Sequence, residues 1–302
     1  LKNEDRGKRP AVSRKKQSVT FCNQLTAKFI TMITINSLSG GKTSSYMAMH
    51  YPADYNIFAL VRIESEECKP KDKGIVKYVS DKIGIDFIAT AESDVTLYAM
   101  RELEQIIGKE IVWVTGETFE SVNKKKTSGK ALPNQVWRFC TTEMKLRPIF
   151  DWWFNNIGEK IRMGIGFRYD EMERADRLST SFKAVVGKRG TRNKWEEIEW
   201  REGYFPLIEN KINHYNVSQW AIQSGIKFPN DSNCVGCFWK GLQQLRKNWD
   251  DEYAKMKWFS DQETENKRWK KEMTYSKIKK IGLQTDFMFG TGSGCQAGYC
   301  TD

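Results

Sequence analysis

Nowhere in this 302-residue sequence does an apolar run approach the roughly 18 residues that a membrane-spanning helix requires. No membrane partner is therefore expected. The first residues are basic and polar, without the apolar segment and small-residue cleavage site of a secretory leader, so a cytoplasmic location is expected. In that setting the seven cysteines do not read as a disulfide framework. Histidine is scarce, and His214 stands twenty residues before the nearest cysteine pair without ligand-like spacing, so it reads as a structural or surface residue. No internal repeat is present. The phosphate loop of common nucleotide triphosphatases is also missing. Its spacing before Gly41-Lys42-Thr43 would need a glycine where Asn36 stands.

What is present is a moderate basic excess, unevenly placed. Net charge is +11, and residues 1–31 carry eight Lys/Arg against two Asp/Glu, which is +6 of it (8 − 2). The remaining 271 residues therefore hold only +5 (11 − 6). A solvated basic leader accounts for this, with a basic arm for RNA or DNA as the sharper alternative. A further alternative is that the natural start lies at Met32, which opens "MITINSLSGG". Residues 1–31 are expected to be disordered or loosely attached, and a chain beginning at Met32 is expected to fold normally.

Hydrophobic residues make up 39% of the chain, with 11 tryptophans, enough for a substantial core. Short apolar segments alternate with helical patterns. Strands are expected over 32–38, 55–63, 85–90, 110–116 and 160–167. Helices are expected near 43–50, over 73–84, over 94–108 with Asp94 as N-cap and Gly108 past the end, and around 142–156. The polar, turn-rich stretch from Glu117 to Gln135 reads as a mobile loop beside the site. This order predicts an α/β fold, with a Rossmann-like parallel sheet covered by helices on both faces. After Pro206 the sequence becomes rich in Trp and Lys, with helical spacing from about 237 to 269. The expected organisation is a leader over 1–31, an α/β nucleotide-binding domain over 32–210, and a helical, cysteine-containing region over 211–302. Trp239, Trp249, Trp258 and Trp269 read as core residues, with base stacking on a nucleic acid as the alternative.

The stretch "SLSGGKTSS" (37–45) places Gly40 and Gly41 between the first strand and the first helix, with Ser39, Lys42, Thr43 and Ser44 around them. Glycines let backbone N–H groups at a helix N-terminus approach an anion closely. Cys234 and Cys237 form a C-x-x-C, Cys140 stands beside Arg138, and Cys295 and Cys300 close the chain. Clustered cysteines without histidine suit zinc or an iron–sulfur cluster.

Taken together, "SLSGGKTSS", "RFCTTEMKLRPI" (138–149), "GIGFRYDEMER" (164–174), "YFPLI" (204–208) and "NCVGCFWK" (233–240) resemble, in order, the motifs of the phosphoadenosine phosphosulfate (PAPS) reductase-like proteins. These belong to the adenine nucleotide alpha hydrolase, or PP-loop, superfamily and are common in phages and mobile elements. The terminal "GCQAGYC" is similar to the cysteine pair that ends many such chains. The resemblance covers roughly residues 32–302. It implies an oxidoreductase that binds ATP, adenylyl sulfate or PAPS, with a thiol reductant or a sulfur acceptor as partner. Its phosphate contacts would come from Ser39, Gly40, Gly41, Lys42, Thr43 and Ser44, and from Arg138, Arg168 and Glu171. Lys145 would join the cationic rim as a catalytic residue. Cys140, Cys234 and Cys237, with Cys295 or Cys300, would hold zinc or a 4Fe-4S cluster, and Cys295 is alternatively the nucleophile. Thr43 departs from the family's aspartate in S-G-G-x-D-S, which weakens plain ATP pyrophosphatase chemistry. Two other readings stay open: an ATP-dependent tRNA or DNA sulfur-insertion transferase, and a nucleotide-sensing regulator without turnover.

Overall fold

The computed structural model describes residues 32–283. Its strands are β1 (Thr34–Leu38), β2 (Tyr55–Leu60), β3 (Arg62–Ile63), β4 (Ala89–Thr90), β5 (Ile111–Thr115), β6 (Ile161–Ile165), β7 (Ser181–Arg189), β8 (Arg192–Glu199) and β9 (Arg201–Tyr204). Five of them form one parallel sheet in the order β5-β2-β1-β6-β9. The chain steps outward from β1 to β2 and β5, then returns to the other side of β1 for β6 and β9. The order therefore reverses between β1 and β6, and in open α/β sheets the crevice beyond the carboxyl ends at that point takes ligands.

Alternation along the strands explains the two covered faces. Ile57 and Ala59 of β2 and Val114 of β5 join Ile35, Met163 and the helix Arg147–Asn156, which buries Ile149, Phe150 and Trp153. Phe58 and Leu60, with Ile111 and Trp113, point the other way and meet the helices Lys73–Ile83 and Asp94–Ile107. The fold is the α/β, Rossmann-like parallel sheet with helices on both faces that the alternation predicts. A third apolar cluster joins Val61, Phe119, Phe139 and Met144 to Val235, Phe238, Trp249, Trp258, Phe259, Trp269 and Tyr275. The helices Leu242–Asp251 and Tyr253–Asp261 belong to it, so Trp249, Trp258 and Trp269 are core residues, with Trp239 packed against them.

Several local expectations are corrected. The apolar run 55–63 is two strands: β2 ends at Leu60, and β3 leaves the sheet to pair antiparallel with β4. The expected strand over 85–90 is only the two residues of β4, outside the parallel sheet. A continuous apolar run does not reveal where its pairing partner changes. Ser93, not Asp94, caps the third helix by accepting from Val95 N–H at 3.3 Å, while Asp94 pairs with Lys255 at 2.6 Å. The expected loop 117–135 contains the helix Phe119–Thr127, capped by Thr118 and buried through Phe119 and Val122. Its three lysines gather in the last turn, where they suit the helix dipole. Pro206 opens a helical turn, Pro206–Glu209, directly after β9. The helical stretch expected from about 237 to 269 is the two helices Leu242–Asp251 and Tyr253–Asp261. The β7–β8 hairpin had no counterpart in the sequence reading.

Candidate functional site

The loop after β1 is shaped by two glycines. Gly40 takes φ +78°, where side chains are strained, and a Cβ there would lie 2.2 Å from Thr96 Cγ2. Gly41 is the N-cap of the helix Lys42–His50, whose first turn has neither a side-chain cap nor an acidic residue. Ser44 Oγ accepts from Ser39 N–H at 3.1 Å and donates to Gly41 O at 3.2 Å, with Ser39 Oγ also at 3.1 Å. Two of the loop's hydroxyls thus knit the loop itself. Lys42 is exposed at the helix start.

The end of β6 closes against this turn. A Cβ on Gly166 would lie 3.2 Å from the Ser44 nitrogen, tight enough that the turn would have to give by a few tenths of an ångström to accept one. Two residues later, Arg168 Nη1 donates to Thr43 Oγ1 at 3.4 Å. The same guanidinium is held by Asp170 at 3.1 Å and Glu171 at 3.3 Å. Glu171 also accepts from Arg168 N–H at 3.2 Å and from Arg174 at 2.7 Å. Arg174 lies over the buried Phe167 ring at 4.3 Å. An uncapped helix N-terminus beside Lys42 and a braced arginine can receive an anion. Glu171 stands behind Arg168 as its support.

A second centre lies next to the first. Cys140, Lys145, Cys234 and Cys237 line one cavity of about 60 Å³ with Met144 and Phe259. The π-helical turn Thr142–Leu146 follows the short helix Phe139–Thr141 that carries Cys140, and brings Lys145 to the cavity. The C-x-x-C segment is braced throughout. Val235 N–H donates to Ala91 O at 2.8 Å, and Val235 O accepts from Asn248 at 2.7 Å and Lys240 at 3.1 Å. Gly236 O accepts from Tyr275 at 2.8 Å. Lys240 is itself buried in an ion pair with Asp231 at 2.9 Å. Burial pushes the Cys140 and Cys237 thiols up to about 11 and Cys234 to about 12, with the Lys145 ammonium opposing the shift at Cys140 and Cys234. Hydrogen bonds from Thr141 and from the Trp239 backbone to the Cys140 and Cys237 sulfurs also favour thiolate.

These are soft donors suited to zinc or iron–sulfur chemistry. Among the described residues, however, no three Cys, His, Asp or Glu side chains are placed to share a metal ion. The other ligand candidates, Cys295 and Cys300, lie outside the described residues, as do the whole 1–31 segment and the terminal "GCQAGYC". Cys68 sits elsewhere, buried in the short turn Glu66–Cys68.

Ser232 joins the two centres. A Cβ on Gly41 would lie 2.7 Å from Ser232 Cβ, two residues before Cys234. The expected cationic rim divides accordingly. Lys42 and Arg168 attend the glycine loop, whereas Lys145 pairs with Glu92 at 2.9 Å on the cysteine side and Arg138 lies over the Trp239 ring at 5.8 Å. The sequence reading missed Glu92, Ser232 and the Asp231–Lys240 pair. Nothing local distinguishes Glu92 in "TAESD" from a solvated surface acid. Its partner lies 53 residues away, so only folding reveals the pair.

No protein-family model matches the chain, and no curated protein matches it. Among the described residues, no helix is long and apolar enough to cross a membrane.

Proposed function

We propose that the chain is a PAPS reductase-like enzyme that binds an adenine nucleotide with its phosphates or sulfate at Gly40–Ser44 and carries out sulfur chemistry beside the cysteine cavity. The contact of Gly41 with Ser232 carries this reading, because it sets an anion-receptive helix terminus against the segment that leads into Cys234. The helix N-terminus, Lys42 and Arg168 would hold the nucleotide's anionic groups, and Glu171 would keep Arg168 in place. Cys140, Cys234 and Cys237 line one cavity but do not converge as they stand, so they would have to draw together to serve as ligands of zinc or a 4Fe-4S cluster, with Cys295 or Cys300 as a fourth. A metal centre bound there would take the sulfurs as thiolates. Cys295 as a nucleophile toward the sulfate sulfur is the alternative role for that residue.

The test uses the full chain, purified without oxygen, with metal analysis and a visible spectrum. It is then incubated with PAPS, adenylyl sulfate or ATP and a dithiol. The dithiol supplies the two electrons that reduce sulfate sulfur to sulfite, and it leaves as a disulfide. Dithiol-dependent sulfite release is the expected result. Pyrophosphate release from ATP would replace this reading with sulfur insertion into a nucleic acid. Tight nucleotide binding without turnover would make the chain a regulator. Failure to bind any of the three nucleotides would refute the assignment. For the metal, Cys234→Ala is expected to abolish retention and Cys68→Ala to leave it unchanged; equal metal content in all three proteins would remove the centre from the proposal.

A further inference from the structure

The β7–β8 hairpin is anchored at one end and bare at the other. Phe182 and Ala184 are buried against Phe150 and Trp200, whereas every residue from Val185 to Glu197 is exposed. The turn is made by Gly190 at φ +64°. From Val185 to Arg189 an extended strand advances roughly 13 Å, at about 3.3 Å per residue.

Charge is sorted along this ribbon. The distal segment 187–194 contains Lys188, Arg189, Arg192 and Lys194 and no acid, while Glu196, Glu197 and Glu199 lie toward the base. The basal acids are engaged: Glu196 by Lys194, Glu197 by Ser181 at 2.5 Å, and Glu199 by Lys160 at 2.7 Å. Arg189 and Arg192 face each other directly across the strands, and like charges in that position repel. Among the described residues, Lys188, Arg189 and Arg192 have no ion-pair partner. Trp195, 47% exposed, sits opposite Val185, 43% exposed. Cations alone would serve solubility at an open strand edge. An exposed tryptophan and two exposed valines, Val185 and Val186, work against solubility and suit a contact surface.

We propose that the β7–β8 ribbon is an arm that binds duplex DNA, with Arg189 and Arg192 on phosphates and Trp195 packed against the groove wall. A two-stranded ribbon laid along the B-form major groove fits its width of about 12 Å and leaves the tip arginines beside the phosphates at its edge. The deep, narrow major groove of duplex RNA would not admit it. The inference does not rest on the nucleotide reading, since no residue of the ribbon belongs to that site.

Fluorescence anisotropy of the full chain on a labelled mixed-sequence duplex of about 30 base pairs, over about 50–200 mM salt, tests it. Residues 1–31 contribute equally to every variant, so differences report the ribbon. Arg189→Ala/Arg192→Ala is expected to weaken binding at least about tenfold at the lowest salt. It should also reduce the steepness of log K against log salt by about two, near 0.9 for each lost phosphate contact. Trp195→Ala is expected to weaken binding with the slope unchanged. Arg192→Gln alone, with half the slope change, serves if the double variant melts early. Absence of duplex binding by the parent, or equal affinity and slope in parent and Arg variants, would overturn the proposal. Stronger arginine-dependent binding to an RNA hairpin of equal length would also overturn it, in favour of RNA.

Discussion

Lys145 Nζ donates to Glu92 Oε1 at 2.9 Å, with the two side chains 15% and 1% exposed. Burial opposes the charge on Lys145, but the Glu92 carboxylate and the neighbouring Cys234 and Cys237 sulfurs outweigh it and hold its pKa above the ordinary value. Glu92 Oε2 has no hydrogen-bond partner. Removing one member of such a pair leaves a buried charge without compensation, which costs about 3 kcal/mol. Glu92→Gln and Lys145→Met are each expected to lose about that much in urea unfolding. The double variant is expected to lose less than the sum by at least about 1 kcal/mol. Strict additivity would show that the pair is not coupled.

Gly41 has a packing reason to be glycine, its contact with Ser232, and on the proposed reading a second one, phosphate approach. An alanine there would clash with Ser232 Cβ at 2.7 Å, whereas Ser232 Cα stands 3.8 Å away. Gly41→Ala is expected to weaken nucleotide binding and lower the melting temperature. Adding Ser232→Gly removes the clash and is expected to restore most of the melting temperature. If affinity, measured by calorimetry with PAPS, stays low in the double variant, the glycine serves phosphate approach. If affinity returns, it serves packing alone.

Gly236 lies under Phe259, whose ring carbons would stand 2.3–2.7 Å from a Cβ. Overpacking of this kind costs roughly 1–3 kcal/mol. Gly236→Ala is expected to lower stability by that amount and to loosen the C-x-x-C segment. Gly241→Ala meets nothing within 4 Å and is expected to lose less than Gly236→Ala, only the cost of alanine at that helix N-cap. Matched thermal melts that show equal effects at the two positions would contradict this packing.

Glu120 is half-buried beside Trp258 and the Glu64 N–H, and desolvation raises its carboxyl pKa above the ordinary 4.5, with Oε2 unpartnered. The folded state therefore binds its proton more tightly than the unfolded state. The stability this group contributes is fully present below that ordinary value and is lost as pH rises through the raised folded value. Glu120→Gln keeps an acceptor for both donors and removes the charge. It is expected to be more stable than the parent at pH 7 and to flatten the decline between pH 4.5 and 7. Parallel pH profiles of the unfolding free energy would count against this.

The sequence by itself determined the parallel α/β sheet. Apolar runs of strand length alternating with amphipathic helices have one stable solution, a sheet covered on both faces. Gly84 and Gly108 mark helix ends because φ +70° and +59° suit a residue without a side chain. The glycine loop was legible for the same local reason: a strand, two glycines and a helix start are adjacent in the chain. Tertiary structure alone decided which residues surround the cysteines. Glu92 meets Lys145, Ser232 meets Gly41 and Trp258 meets Glu120 across 53 to 191 positions, and no local pattern encodes such a meeting. It also decided that the expected ring of four cations divides into two pairs, since β6 delivers Arg168 to the glycine loop while the turn after Cys140 carries Lys145 to an acid on the cysteine side. The exposed ribbon 181–199 escaped the sequence reading because most of it buries neither face, and without a buried face a strand carries no alternation to read.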